Sequence, residues 1–120
     1  MPVIVCATNE SKGQVLAPRV RVASSLWARS KGLLGTASLP PEEGLWLKPC
    51  RSIHTFFMRF PIDVLFLDGQ GRVLSKATVA PWKMSGWKRQ AAGALELTAG
   101  TLERTHTEIG DRITFSRMED

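Results

Sequence analysis

Residues 62–71 read Ile62-Asp63-Val64-Leu65-Phe66-Leu67-Asp68-Gly69-Gln70-Gly71, and their reading decides the fold class. Five apolar residues around one acid form a strand of six. Asp68-Gly69-Gln70-Gly71 is the turn chemistry of a β-hairpin. Arg72 to Val79 alternates and returns as the antiparallel partner, with Val73, Ser75, Ala77 and Val79 on one face. A hairpin this clear makes the neighbouring short apolar runs strands as well.

Working outward, Val3-Ile4-Val5-Cys6-Ala7 fits a buried strand, and residues 8–13 are turn-formers. Val20 and Val22 between Arg19 and Arg21 give a period of two, with Pro18 expected at the strand's edge or start. Leu45-Trp46-Leu47 is a brief strand stopped by Pro49. Ile53 to Met58 is extended and apolar on both faces, and Pro61 excludes a helix through residues 59–63. Leu95 and Leu97 flank Glu96 in a further strand at 94–97. Residues 101–107 accommodate one helical turn, and Gly110-Asp111 opens a last strand over 112–116. One longer helix is expected near residues 25–34. Ser24 or Ser25 caps it, Leu26, Trp27, Leu33 and Leu34 line one side, and Gly35 ends it. The segment from Ala80 to Gly93 has no period and reads as a long loop. Its Trp82 and Trp87 are expected to be buried, sealing a barrel end. The fold class is therefore α+β and mainly β: a compact, small barrel-like or sandwich-like antiparallel sheet with one short helix. A single domain over 1–120 is expected, with residues 117–120 a frayed tail.

The chain has 120 residues, of which 43% are hydrophobic and 22% charged, ordinary for a globular fold. It contains no apolar run long enough for a membrane-spanning helix and no signal-peptide pattern at its start, so the cytoplasm is the expected location. Two cysteines, Cys6 and Cys50, are too few for a disulfide framework. The net charge is +5 and is unevenly spread. Residues 1–89 hold 13 Lys and Arg against 5 Asp and Glu, whereas residues 90–120 hold 3 against 6. A basic body attracts anions, nucleic acid among them, yet the basic residues are scattered singly as on an ordinary solvated surface.

The candidate site is the block Ser52-Ile53-His54-Thr55-Phe56-Phe57-Met58-Arg59-Phe60-Pro61-Ile62-Asp63. It sets a histidine, an arginine and an acid among aromatic residues, as a small-molecule pocket requires. Arg59 and Asp63 flank the proline corner. They are expected either to pair as a clamp or to present the guanidinium to an anion. His54 has the chemistry of a general acid–base, or else is an ordinary histidine bonded to backbone. Cys50 with His54 and Asp63 offers the residue types of cysteine catalysis, although an extended chain would hold positions 50 and 54 about 13 Å apart. Metal-ligand spacing is lacking, as are phosphate-binding glycine patterns, so neither a metal nor a cofactor is expected.

The order of the segments resembles the uncharacterised ancient-conserved-region family, also called domain of unknown function 192. The resemblance rests on Arg29 to Gly35, Glu43-Gly44-Leu45, the block from His54 to Phe66, Asp68 to Val73, Leu95-Glu96-Leu97 with Ala99-Gly100, and Gly110-Asp111. It implies a compact, mainly β fold with one short helix and a shared feature at the Met58–Asp63 corner. It brings no activity. Many relatives carry another residue at the His54 position, which turns attention to Met58, Asp63, Glu96 and Arg29.

Three functions follow as expectations. The first is a binding domain taking an anionic small molecule or peptide group through His54, Phe56, Met58, Arg59 and Asp63, with Trp82 or Trp87 as cover. The second is a hydrolase-like enzyme using His54 with Cys50 or a water. Nucleic-acid binding through the basic body is a third.

Overall fold

The computed structural model describes residues 3–25, 33 and 37–117. It contains β1 (Ile4–Asn9), β2 (Gln14–Ala23), β3 (Glu43–Leu47), β4 (Ile62–Leu67), β5 (Val73–Val79), β6 (Gly93–Thr98), α1 (Thr101–Arg104) and β7 (Ile113–Arg117). The seven strands form one sheet in the order β5-β4-β6-β3-β2-β1-β7. All neighbours are antiparallel except β2 and β3, which run parallel.

The sheet curls until its two outermost strands meet at one corner. Arg72 bridges Arg112, and the Val73 N–H donates to the Asp111 carbonyl at 2.9 Å. Gly71 permits this approach. It has φ 84°, and a Cβ there would collide with the Ile113 carbonyl. The mainly β barrel-like class read from the sequence is the observed one, as a half-barrel joined along one short seam.

Alternation along each strand divides the apolar residues between two cores. The inner one gathers Leu65, Leu67, Val73, Leu95, Leu97 and Ile113, with the Trp46 ring tilted against Phe115 at 4.9 Å. The outer one gathers Leu45, Leu47, Ile62, Val64, Phe66 and Ala94 under Ile53, Met58 and Ala91 from the loops. Every residue of β4 is buried because both of its faces are covered.

Several expectations change. The alternation of β5 is broken: Phe66 pairs with Ser75 but Leu67 with Val73, so Leu74 is an extra, bulged residue. Val73 therefore enters the inner core, while Ser75, Ala77 and Val79 stay on the outer face. Pro18 is neither first in its strand nor at a sheet edge. It sits inside β2 at a bulge, where Ala17 and Val20 oppose Ala7 and Val5, and the ladder with β3 begins only at Arg19. Residues 53–58 are a loop, with a single β-bridge, His54 to Met84, among the described residues. Arg117 is not frayed but pairs with Val5 at the end of β7. The helix expected near 25–34 and Arg29 lie outside the described residues, as does the tail after Arg117.

Candidate functional site

Two loops lie over the outer core, residues 48–61 and 80–92, and backbone hydrogen bonds zip them together. The Trp82 N–H donates to the Thr55 carbonyl and the Thr55 N–H to the Lys83 carbonyl, both at 2.9 Å. The wholly buried Thr55 hydroxyl donates to the Ala80 carbonyl and accepts from the Lys83 N–H. Ser85 joins Ile53 through two more bonds, and the Lys88 N–H reaches the Arg51 carbonyl at 2.7 Å. Buried backbone groups away from a sheet need such partners, and Thr55 supplies them for both loops.

A cavity of about 390 Å³ opens between the second loop and the outer face of the β4–β5 hairpin. Val64, Phe66, Ala77 and Val79 provide its apolar wall. Lys83, Met84, Ser85 and Lys88 line it from the loop. The Lys88 ammonium stands 6.0 Å from the centre of the Phe66 ring, at the limit of a cation–π contact. Among the described residues no acid lines the cavity, and the charged groups that do are Lys83 and Lys88.

Beside it the aromatic residues cluster in solvent. Phe57 is 72% exposed, Trp82 57%, Met84 68% and Trp87 68%. The Phe57 and Trp82 rings lie 4.6 Å apart, and both residues have left-handed backbones, with φ of 67° and 65°. His54 stacks on Phe56 at 5.0 Å. The tryptophans expected to seal the barrel are thus among its most exposed residues. The zipped loops fix their backbones outward, and the barrel end is closed instead by α1, whose Leu102 enters the inner core.

Asp63 is the residue that seats α1. Its carboxylate accepts from the N–H groups of Gly100 and Leu102 at 3.0 and 2.9 Å and from the Thr78 hydroxyl at 2.7 Å. It is 1% exposed and points to the inner side of the sheet. The expected ion pair with Arg59 is not formed, because position 63 faces inward while Arg59 lies on the exposed loop. Arg59 has no ion pair or hydrogen bond among the described residues. Met58 is buried in the outer core. Of the predicted residues, His54, Phe56 and Trp82 are brought together, whereas Met58 and Asp63 serve the interior.

The residues of the catalytic reading each have a local partner. His54 Nδ1 accepts the Phe56 N–H at 3.2 Å. The Cys50 thiol donates to the Ser52 carbonyl at 3.1 Å. Among the described residues no three His, Cys, Asp or Glu side chains gather as a metal site. No described helix is long and apolar enough to cross a membrane.

Sequence reading missed the two lysines as a pair. Their signal was available: neither residues 48–62 nor residues 80–93 contain an acid, yet together they hold six Lys and Arg. It also left Glu96 without a place. This side chain lies on the outer face between Leu45 and Val64, and burial pushes its carboxyl up to about 7.

The fold has close counterparts among solved structures. A protein of unknown function from Novosphingobium aromaticivorans superimposes with a TM-score of 0.79, over 94% of this chain and 84% of that one, at 23% identity. A structure from Sinorhizobium meliloti gives 0.81 over 96% and 94%, at 22% identity. In sequence, a UPF0127 protein of Pyrococcus horikoshii is 36% identical over 88% of this chain and 94% of its own. Another, of Thermococcus sibiricus, is 33% identical over 93% of this chain and 75% of its own. Residues 7–115 match the family described as uncharacterized ACR, DUF192, and the chain belongs to that family.

Proposed function

We propose that this protein binds a small anionic molecule with an apolar body, in the cavity between the β4–β5 hairpin and the loop of residues 80–88. The observation that carries this reading is the lining: an apolar wall from Val64, Phe66, Ala77 and Val79 faces Lys83 and Lys88, with no acid among the described lining residues. Its volume of about 390 Å³ falls in the range of small-molecule sites. A neutral apolar ligand would leave the two ammonium groups unpaired, and a small hydrated anion would leave the wall unused. His54 belongs to the same locale, since its bridge to Met84 ties the His54–Asp63 corner to the cavity rim. The anion-binding role expected of Arg59 passes to the lysines, since Arg59 does not line the cavity.

Fluorescence titration with 1-anilinonaphthalene-8-sulfonate, an aromatic sulfonate, tests the site. Saturable binding should weaken about tenfold in Lys83→Ala/Lys88→Ala, the equivalent of one charge-assisted contact. It should be lost in Ala77→Phe, which fills the cavity from the exposed strand β5. Unchanged binding in Ala77→Phe would place the probe elsewhere and overturn the assignment.

A further inference from the structure

The exposed aromatic cluster adjoins the cavity through Met84 but faces solvent, and it calls for its own account. Phe57, Trp82, Met84 and Trp87 stand in solvent on two adjoining loops. Phe57 and Trp82 are bulky residues held at positive φ, where a side chain other than glycine is disfavoured. Strain kept by surrounding structure concentrates where a surface has work to perform. Here the Thr55 bonds to Trp82 and Lys83 keep it. Relaxing the backbone would let the rings fold down; the zipped loops prevent that.

The surroundings carry one sign of charge. Arg51, Arg59, Lys83, Lys88 and Arg89 occupy the same two loops, and no Asp or Glu does. From these observations we infer that the cluster docks on an anionic lipid bilayer, with Phe57, Trp82, Met84 and Trp87 entering the interface and the basic residues meeting the headgroups. Tryptophan favours the membrane–water boundary because its ring is apolar and its N–H polar. Lysine and arginine stems extend along an apolar layer while their charges reach the headgroups. Methionine adds flexible apolar contact.

The ring geometry favours lipid over nucleic acid. A stacking platform offers flat aromatic faces to bases. Here Phe57 and Trp82 tilt against each other at 56°, and His54 and Phe56 each give one face to the other, so these rings do not offer a row of parallel open faces. What reaches solvent is apolar bulk ringed by cations, which suits insertion into a negatively charged layer.

Co-sedimentation with vesicles decides the matter. The full chain should pellet with phosphatidylcholine vesicles doped with phosphatidylserine, and not with phosphatidylcholine alone. Tryptophan emission should shift to the blue on binding, and added salt should weaken it. Phe57→Ser/Trp82→Ser should lose about tenfold or more in affinity while Val15→Ser, on exposed β2, loses nothing. If the double variant melts early, Trp87→Ser and Arg59→Glu provide the same test outside the Thr55 network. Ala77→Phe should leave vesicle binding intact, which separates this inference from the cavity assignment. Failure to pellet with phosphatidylserine vesicles would overturn it, as would pelleting that these substitutions leave unchanged. Binding of a single-stranded oligonucleotide, sensitive to Phe57→Ser/Trp82→Ser in a protein that ignores vesicles, would replace it with nucleic-acid recognition.

Discussion

On the inner side of the sheet, Leu65, Leu67, Leu95 and Leu97 have no exposure, and Asp63, an acid facing that side, has three hydrogen-bond partners. The outer side of the same strands is covered by loops. It leaves a cavity under Lys83 and Lys88, buries Glu96 and supports four exposed apolar side chains. The difference teaches where selection for folding and for binding can act separately. A strand with two buried faces can devote one to closing the barrel and lend the other to a surface shaped by loops. A buried acid with three donors is a structural part; a buried acid pushed toward neutrality is a liability carried by the outer face.

The sharpest test of that contrast is Asp63→Ala. It leaves the Gly100 and Leu102 N–H groups and the Thr78 hydroxyl without their acceptor, and should remove about 3–5 kcal/mol of stability in urea unfolding. A loss no larger than that of a surface residue would break the division between faces.

Glu96→Gln comes next. The folded carboxyl is raised to about 7 from an ordinary 4.5, so the folded state holds its proton more tightly than the unfolded one. Stability from this group is therefore fully present below pH 4.5 and is lost as pH rises to about 7. The amide has no such slope. Between those pH values the variant should gain on the natural protein by on the order of 3 kcal/mol, read from paired unfolding curves that cancel every other titrating group. Parallel curves would mean that Glu96 ionises without penalty.

The smallest effect belongs to Arg59→Ala. With no hydrogen bond or ion pair among the described residues, Arg59 should contribute less than about 0.5 kcal/mol to stability. Its removal should instead weaken vesicle binding. A large drop in melting temperature would return it to the clamp role that its spacing from Asp63 first implied.

Much of the fold was legible because local signals agreed. The Asp68–Gly71 turn and the alternation on either side of it fixed the β4–β5 hairpin, and Glu96 between two leucines marked β6. What escaped depended on partners distant in sequence. Nothing local to Leu74 announces a bulge, and nothing local to Pro18 shows that its strand would tolerate it inside the sheet. The site was half legible. The block around His54 was found, but its orientation was not, because Thr55 fixes that by bonding to residues 80–83. Trp82 and Trp87 were misread for a physical reason: burial is the usual fate of tryptophan, and only the zipped loops hold these two outward.

The bulge at Leu74 ties the architecture to the cavity. One strand begins by sealing the inner core with Val73 and, after a single supernumerary residue, finishes by walling the cavity with Ser75, Ala77 and Val79. Removing one residue between Val73 and Ala77 would erase the bulge and leave Val73 opposite Leu67 and Ala77 opposite Val64. The strand thus carries one residue that it can spare without moving either the seam or the cavity wall.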